Sequence, residues 1–382
     1  MTKVIFETAA LADAIKKADR IAPSRGQAFD KANGIVMAVD PESGIVVVKA
    51  TDLHIYSMEW LIATIEGEST EWRVPSRQFA AMIASLPIGT GKTIELEEKI
   101  TGRIRMLHLT SGNTRAKFNL QMMDYYPRWE AFDPDGLEEV NDLGGRIKMA
   151  EWAASRTEEP PLNGILLDGK EVVGCDRYRL ATVSLPIPHL EAPIVVPAGM
   201  LGSVLNSTGE VHIGVRDGYL LLMPDDTTQI RTTVFDVEYP PIERLKKRDH
   251  PEHLKVRKAP LLDILQRAST FAGNDRFPIL RLFFGAEEVA AMMETREIGV
   301  LADTISVPGY CTHKRMEVKF TPKNIIDAIE AVPNEELMLG YDPENSMAFI
   351  HIDGGSGYEA WAIPRKGLTA EERAAVDGEA RS

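Results

Sequence analysis

The chain has 382 residues, 44% hydrophobic and 26% charged, with a formal net charge of −14. That length exceeds one ordinary core and predicts two or three domains, and the near-average composition excludes wholesale disorder. The negative total argues against free nucleic-acid binding, yet screening over about 8 Å leaves room for a local basic surface.

Taken in order, the first helical pattern sets Leu11, Ile15 and Ala18 on one face and Lys16, Lys17 and Arg20, with Asp13 among them, on the other. Next come ANGIVMAV and VVKATDLHIYS, which read as strands, then VPSRQFAAMIASLP (74–87), a strand end running into a helix. Alternation in Thr93-Ile94-Glu95-Leu96-Glu97 predicts an antiparallel strand with one wet face. After DYYP (124–127), residues 128–140 are rich in Asp, Pro and Gly and read as a linker. A second helix carries Ile147, Met149 and Trp152, followed by LNGILLDG, VVGCDRYRLAT, VPAGMLGSVLNS (196–207) and VEYP (237–240). KKRDHPEH (246–253) reads as a second linker. A third helix carries Leu261, Leu262, Leu265 and Ala268, and FTPKNIIDAIEAVP (320–333) follows.

These phrases repeat. Pro75, Pro197 and Pro322 stand 122 and 125 residues apart (197 − 75, 322 − 197). Four and seven residues after them stand Phe79 and Met82, Leu201 and Val204, Ile326 and Ile329, one apolar helix face each. Proline at the first helical turn forfeits no hydrogen bond. Asn33-Gly34 matches Asn163-Gly164, and Asp52 matches Asp176. Three α+β units of about 125 residues account for nearly the whole chain. Chance is the competing explanation, since junctions of this kind are common one at a time.

Catalytic signals fail on inspection. IGTGKT (88–93) lacks the first glycine of a phosphate loop, position 86 being leucine, and sits between a helix and a strand rather than the reverse. DPDG (133–136) lacks the distal glutamate of a calcium loop. The eight histidines form no HxxxH or HExxH pattern, and no serine occupies a GxSxG elbow. Cys175 and Cys311 have no partner at a ligand spacing. MTKVIFETAALADAIKK lacks the apolar core of a signal peptide, and no run approaches the roughly 18 apolar residues of a membrane span. The expectation is a non-catalytic, metal-free and cofactor-free cytoplasmic protein, in which Asn206-Ser207-Thr208 is a chance sequon.

LNGILLDGKEVVGCDRYRLATVSLPIP (162–188), FDVEYPPIERL (235–245) and AIPR (362–365) resemble the bacterial sliding-clamp family, the β subunits of replicative DNA polymerase. The resemblance covers about residues 1–366. It implies clamp domains over 1–130, 138–247 and 253–366, a tail over 367–382, and a head-to-tail homodimeric ring. Helices would line the lumen and antiparallel sheets the outside. The implied role is to encircle duplex DNA and tether the replicative polymerase, with a clamp-loader ATPase and proteins bearing short apolar peptides as partners. A clamp-fold scaffold that encircles no DNA is the alternative.

By position, Lys16, Lys17, Arg20, Arg25, Arg77, Lys148, Arg156, Lys258 and Arg267 would face DNA, although charged helix faces are usually only solvated. Leu162, Cys175, Tyr178, Leu180, Pro240, Leu245, Trp361 and Ile363 would form the peptide groove, or ordinary core. Phe118 and Leu120 would meet the partner's Phe271 and Ala272, or pack internally. Arg177-Tyr178 replaces the family's Gly-His pair, and Trp361 replaces a small aliphatic residue. These departures suit a divergent or phage-encoded member. The tail starts beside the implied groove, and Thr369 and Glu372 have capping-box spacing.

Overall fold

The computed structural model describes residues 2–365 except 24–28, 90, 103, 188–189, 200, 206–208, 286, 296–297, 308–315 and 346. Arg25, Cys311, the sequon and the tail after Arg365 lie outside the described residues. Eight helices are described: α1 (Thr8–Ile21), α2 (Phe29–Ala32), α3 (Ser76–Ala84), α4 (Leu143–Glu151), α5 (Leu201–Val204), α6 (Glu243–Lys246), α7 (Lys258–Ala272) and α8 (Pro322–Glu330). The remaining regular structure is antiparallel sheet, so the class is α+β.

The chain divides into two compact units, Met1–Gly145 with Met200–Phe235, and Arg146–Gly199 with Asp236–Ser382. In the first, a five-stranded sheet runs in the order Thr64–Glu66, Lys3–Glu7, Thr93–Thr101, Ile104–Ser111, Thr114–Asn119. Its companion has eight strands: Glu138–Asn141, Glu210–Arg216, Tyr219–Asp225, Thr228–Thr233, Ile55–Ile62, Ile45–Thr51, Ile35–Asp40, Thr70–Val74. In the second unit an eight-stranded sheet runs Ile194–Pro197, Gly164–Leu167, Glu171–Cys175, Arg179–Ser184, Tyr358–Ala362, Ile350–Gly355, Glu336–Tyr341, Glu252–Arg257. Four further strands run Gly299–Ser306, Glu288–Thr295, Leu280–Phe284, Met316–Phe320.

Each eight-stranded sheet is thus assembled from two sequence repeats. Thr228–Thr233 pairs with Ile55–Ile62, and Arg179–Ser184 pairs with Tyr358–Ala362. The middle repeat gives four strands to each unit. The segments that read as linkers are held down by this arrangement: Trp129 and His250 are buried, and Lys246 bonds Glu171 at 2.7 Å.

The repeated words have repeated physics. Asp52 Oδ1 accepts the amides of His54 and Ile55 at 2.9 and 2.7 Å. Asp176 Oδ1 accepts those of Tyr178 and Arg179 at 2.7 and 2.8 Å. Both are side-chain-closed turns between strands, a task for which a short carboxylate is suited. Gly34 has φ +97°, and a Cβ there would meet the Val74 carbonyl at 2.7 Å; one at Gly164 would meet Val195 at 2.5 Å. Only glycine lets the neighbouring strand come so close.

The helix faces follow the predicted period with local shifts. In α1, Leu11, Ala14, Ile15, Ala18 and Ile21 are buried. In α3 the buried pair is Phe79 and Ile83, with Met82 only half-buried. In α7, Ile264 joins Leu261, Leu265 and Ala268, while Leu262 is half-buried. The phosphate-loop look-alike joins α3 to the strand Thr93–Thr101, the order that leaves no helix N-terminus for a phosphate.

Candidate peptide groove and basic surfaces

In the second unit, the turn at Asp176 starts the strand Arg179–Ser184 and fixes its register, which places Leu180 opposite both Cys175 and Trp361. Leu180 (1% exposed), Cys175 (4%) and Trp361 (1%) pack with Val173 and Ile242, and Leu162, Tyr239, Leu245 and Phe349 close over them. Five of the eight residues assigned to the peptide groove by position therefore meet in one apolar cluster: Leu162, Cys175, Leu180, Leu245 and Trp361. Tyr178 is exposed, and Pro240 and Ile363 are half-buried; none of the three belongs to the cluster. Val173, Leu166, Tyr239, Ile242 and Phe349 complete it. Tyr239 is the tyrosine of VEYP and Ile242 follows it, and the repeated tyrosine–proline pair was the signal available for them.

Arg179 anchors the groove strand. Its guanidinium donates to Asp176 Oδ2 from Nε (3.0 Å) and Nη2 (2.9 Å), and to Asp327 Oδ2 on α8 from Nη1 (3.3 Å). It also lies 5.7 Å from the Trp152 ring. Tyr239 donates its hydroxyl to the Val173 carbonyl at 3.3 Å. Burial pushes the Cys175 thiol up, which keeps it in the neutral form that packs as a small apolar group. Beneath the floor three rings stack: His250 on His351 (5.3 Å) and His351 on Trp361 (4.9 Å), with His351 Nε2 at 3.1 Å from Glu359. Both ring nitrogens of His250 are buried without a hydrogen-bond partner among the described residues. No sequence signal announced this stack.

The positional cations fall into two groups. Lys16, Arg20, Arg77, Lys148 and Arg156 are exposed; Arg20 donates to the Ser203 carbonyl. Lys148 and Arg156 help line a cleft of about 700 Å³ that runs beside Tyr178 and α8. The others are committed. Lys17 is paired with Asp13 (2.9 Å) and Glu59 (3.2 Å). Burial works against its charge, but those carboxylates prevail and hold it protonated. Lys258 gives its ammonium to the carbonyls of Glu330 (2.9 Å) and Val332 (2.6 Å), at the C-terminal end of α8. Arg267 pairs with Asp303 at 2.6 Å. Sequence could place these cations on a helix but could not show what they meet.

Phe118 stands on the edge strand Thr114–Asn119 and packs edge-on against Phe79 at 5.2 Å. Leu120 and Phe271 are half-buried and Ala272 is buried. The strand Gly299–Ser306 is likewise an edge, with Val300 and the adjacent Ile298 exposed. No cluster of three or more metal-ligating side chains occurs among the described residues, and no described helix is long and apolar enough to cross a membrane.

The chain matches solved structures along almost its whole length. The Bacillus subtilis DNA polymerase sliding clamp superposes with a TM-score of 0.75 at 20% identity, over 96% of this chain and 100% of that one. The DNA polymerase III β subunit of Thermotoga maritima gives 0.77 at 19%, with the same coverage. This chain has the sliding-clamp fold. No family model matches the sequence. A curated β sliding clamp from Halalkalibacterium halodurans is 22% identical over 338 residues, 81% of this chain and 85% of that protein. A Pseudomonas aeruginosa clamp solved with griselimycin also shares the clamp fold, with a TM-score of 0.73 at 16% identity over 96% of this chain and 99% of that one.

Proposed function

We propose that this protein is a DNA sliding clamp: a non-catalytic ring that encircles duplex DNA and tethers the replicative polymerase and other DNA-processing proteins. The observation that carries the reading is the match to polymerase clamps over 96% of the chain with nothing of theirs left over. The three repeats, 1–130, 138–247 and 253–366, would be its clamp domains. The ring would form from two copies joined head to tail. In support, the strands Thr114–Asn119 and Gly299–Ser306 each leave one edge unpaired among the described residues, and closure would cover edges that otherwise invite aggregation. Phe118, Leu120, Phe271 and Ala272 would lie at that joint.

Lys16, Arg20, Arg25, Arg77, Lys148 and Arg156 would face DNA through weak, mobile phosphate contacts, which suits sliding. Lys17, Lys258 and Arg267 would add field more than contact, being already paired. The apolar cluster around Leu180 and Trp361 would be the floor of a groove for short apolar peptides from the polymerase, the clamp-loader ATPase and others. Its cytoplasmic setting follows from that role.

The test is retention after loading. A clamp stays on circular DNA and runs off the same DNA once it is linearised. A clamp-fold scaffold that encircles no DNA shows no difference, and that result rejects the proposal.

A further inference from the structure

The two inter-repeat sheets are built in one register, and the register matches residues across them. Val36 faces Lys49 as Leu166 faces Val173. Thr51 faces Tyr56 as Cys175 faces Leu180. Tyr56 faces Arg231 as Leu180 faces Trp361. Tyr126 and Trp129 follow as Tyr239 and Ile242 do, in the segments DYYP and VEYP. The first unit therefore holds a counterpart of the groove around Leu180, with its chemistry changed. Val173 has become Lys49, Leu180 has become Tyr56, and Trp361 has become Arg231.

The counterpart is open. A cavity of about 400 Å³ is lined by Lys49, Met123, Tyr126 and Trp129, among others. Tyr126 and Trp129 belong to a buried aromatic cluster with Val36 and Met58, and Tyr56 packs edge-on to Trp129 at 5.3 Å. The Trp129 indole N–H is buried without a partner among the described residues. Lys49 Nζ stands 5.8 Å from the Trp129 ring and forms no ion pair among the described residues. Glu71 lies in the wall, and Glu130 and Arg128 at the exposed rim. Burial, helped by Arg128, outweighs Glu71 and Glu130 and holds the Lys49 ammonium below its ordinary value. Neither Glu71 nor Glu130 forms an ion pair with Lys49 among the described residues, so a bound carboxylate would give the ammonium a direct partner and the stranded indole N–H an acceptor, and the rings would take an apolar side chain beside it.

We propose that this cavity is a second partner-binding site, at the junction of the first two repeats, for a short peptide segment presenting a carboxylate next to an aromatic or aliphatic side chain. The proposal extends the groove reading above, because the geometry is shared while the cation replaces an apolar residue. The two sites would let one protomer hold an apolar peptide and an acidic one together.

The test uses the full chain carrying 5-fluorotryptophan, whose five tryptophans report separately by fluorine NMR. Titration with the probe Ac-Glu-Phe-NH2 should shift the Trp129 resonance saturably, and Ac-Gln-Phe-NH2 should bind about tenfold more weakly. Lys49→Met should remove that discrimination, and Lys49→Arg should keep it. Equal affinity for the two probes, or no shift at Trp129, overturns the proposal, and either result can be read in the unsubstituted protein if a variant fails to fold. Trp361 reports on the apolar groove independently. A shift at Trp361 alone leaves the groove reading intact and sinks this one. A shift at Trp129 alone supports this site even where the groove reading fails.

Discussion

The repeated aspartate turns provide an internal control for the groove's anchor. Asp52→Ala removes the carboxylate oxygen that accepts two amide hydrogen bonds, at 2.9 and 2.7 Å. Hydrogen bonds of this sort are worth about 1 kcal/mol each, and somewhat more to a charged acceptor, so the loss should be about 2 kcal/mol. Asp176→Ala removes the same two bonds and also the fork to Arg179. That pair is largely desolvated, its side chains being 13% and 11% exposed. Asp327 remains to hold Arg179, so the charge is not left bare, and the extra cost should be about 1–2 kcal/mol rather than the 3–5 of a fully orphaned buried ion. Native-state hydrogen exchange at the Ile55 and Arg179 amides reads the two opening energies locally, whichever unit unfolds first. Equal losses at the two turns would show that the Arg179 fork contributes nothing to holding the strand that carries Leu180. Adding Asp327→Ala to Asp176→Ala should then cost more than either change alone predicts, since it strips the last carboxylate from Arg179.

Other outcomes follow from the same geometry. Leu180→Ala opens a void in the cluster and should weaken a polymerase C-terminal peptide about tenfold, checked by calorimetry; unchanged affinity would move the groove elsewhere. Neutralising Lys16, Arg20 and Arg25 together should shorten retention on DNA and flatten its salt dependence, and identical salt slopes would remove them from the DNA-facing set. Phe271→Ala should shift sedimentation toward monomer, whereas a stable dimer would place Phe271 in internal packing. Burial, then His351 and His253, with Arg248 adding to them and Asp249 opposing, depress the His250 proton affinity. A lowered histidine contributes stability above its unfolded value of about 6.5, and that contribution is lost as pH falls through the folded value. Stability of the second unit should therefore fall on acidification below about pH 6.5, and His250→Phe, which keeps a ring on His351, should flatten the fall. An unchanged slope would clear His250 of the effect.

What the sequence could show was whatever repeats or obeys a period. Pro75 caps α3, Pro197 ends a strand shortly before α5 and Pro322 opens α8, so each marks a strand-to-helix junction with shifts of a few residues, and the matched aspartates close matched turns, because local backbone chemistry recurs wherever the residues recur. The apolar cluster was legible in part because Cys175, Leu180 and Trp361 sit in short apolar runs, which fold as strands buried on both faces. Pairing between repeats was not legible, since nothing local records that Leu180 will face Trp361 across a strand more than 170 residues away. That long-range pairing decides the rest. It pins residues 128–140 and 246–253, which read as loose linkers, and it stacks His250 beneath Trp361 through His351. It also spends Lys258 on the end of α8, in a contact spanning more than 70 residues. A cation's place on a helix is set by a period of 3.6 residues, but whether it meets DNA or a carbonyl is set by what the sheet brings next to it. The same register places Lys49, Tyr56 and Arg231 at the junction of the first two repeats where Val173, Leu180 and Trp361 stand in the second unit. If the cavity beside Lys49 takes the proposed carboxylate peptide, one architecture would specify two kinds of partner through side chains alone, without disturbing the strands that carry them.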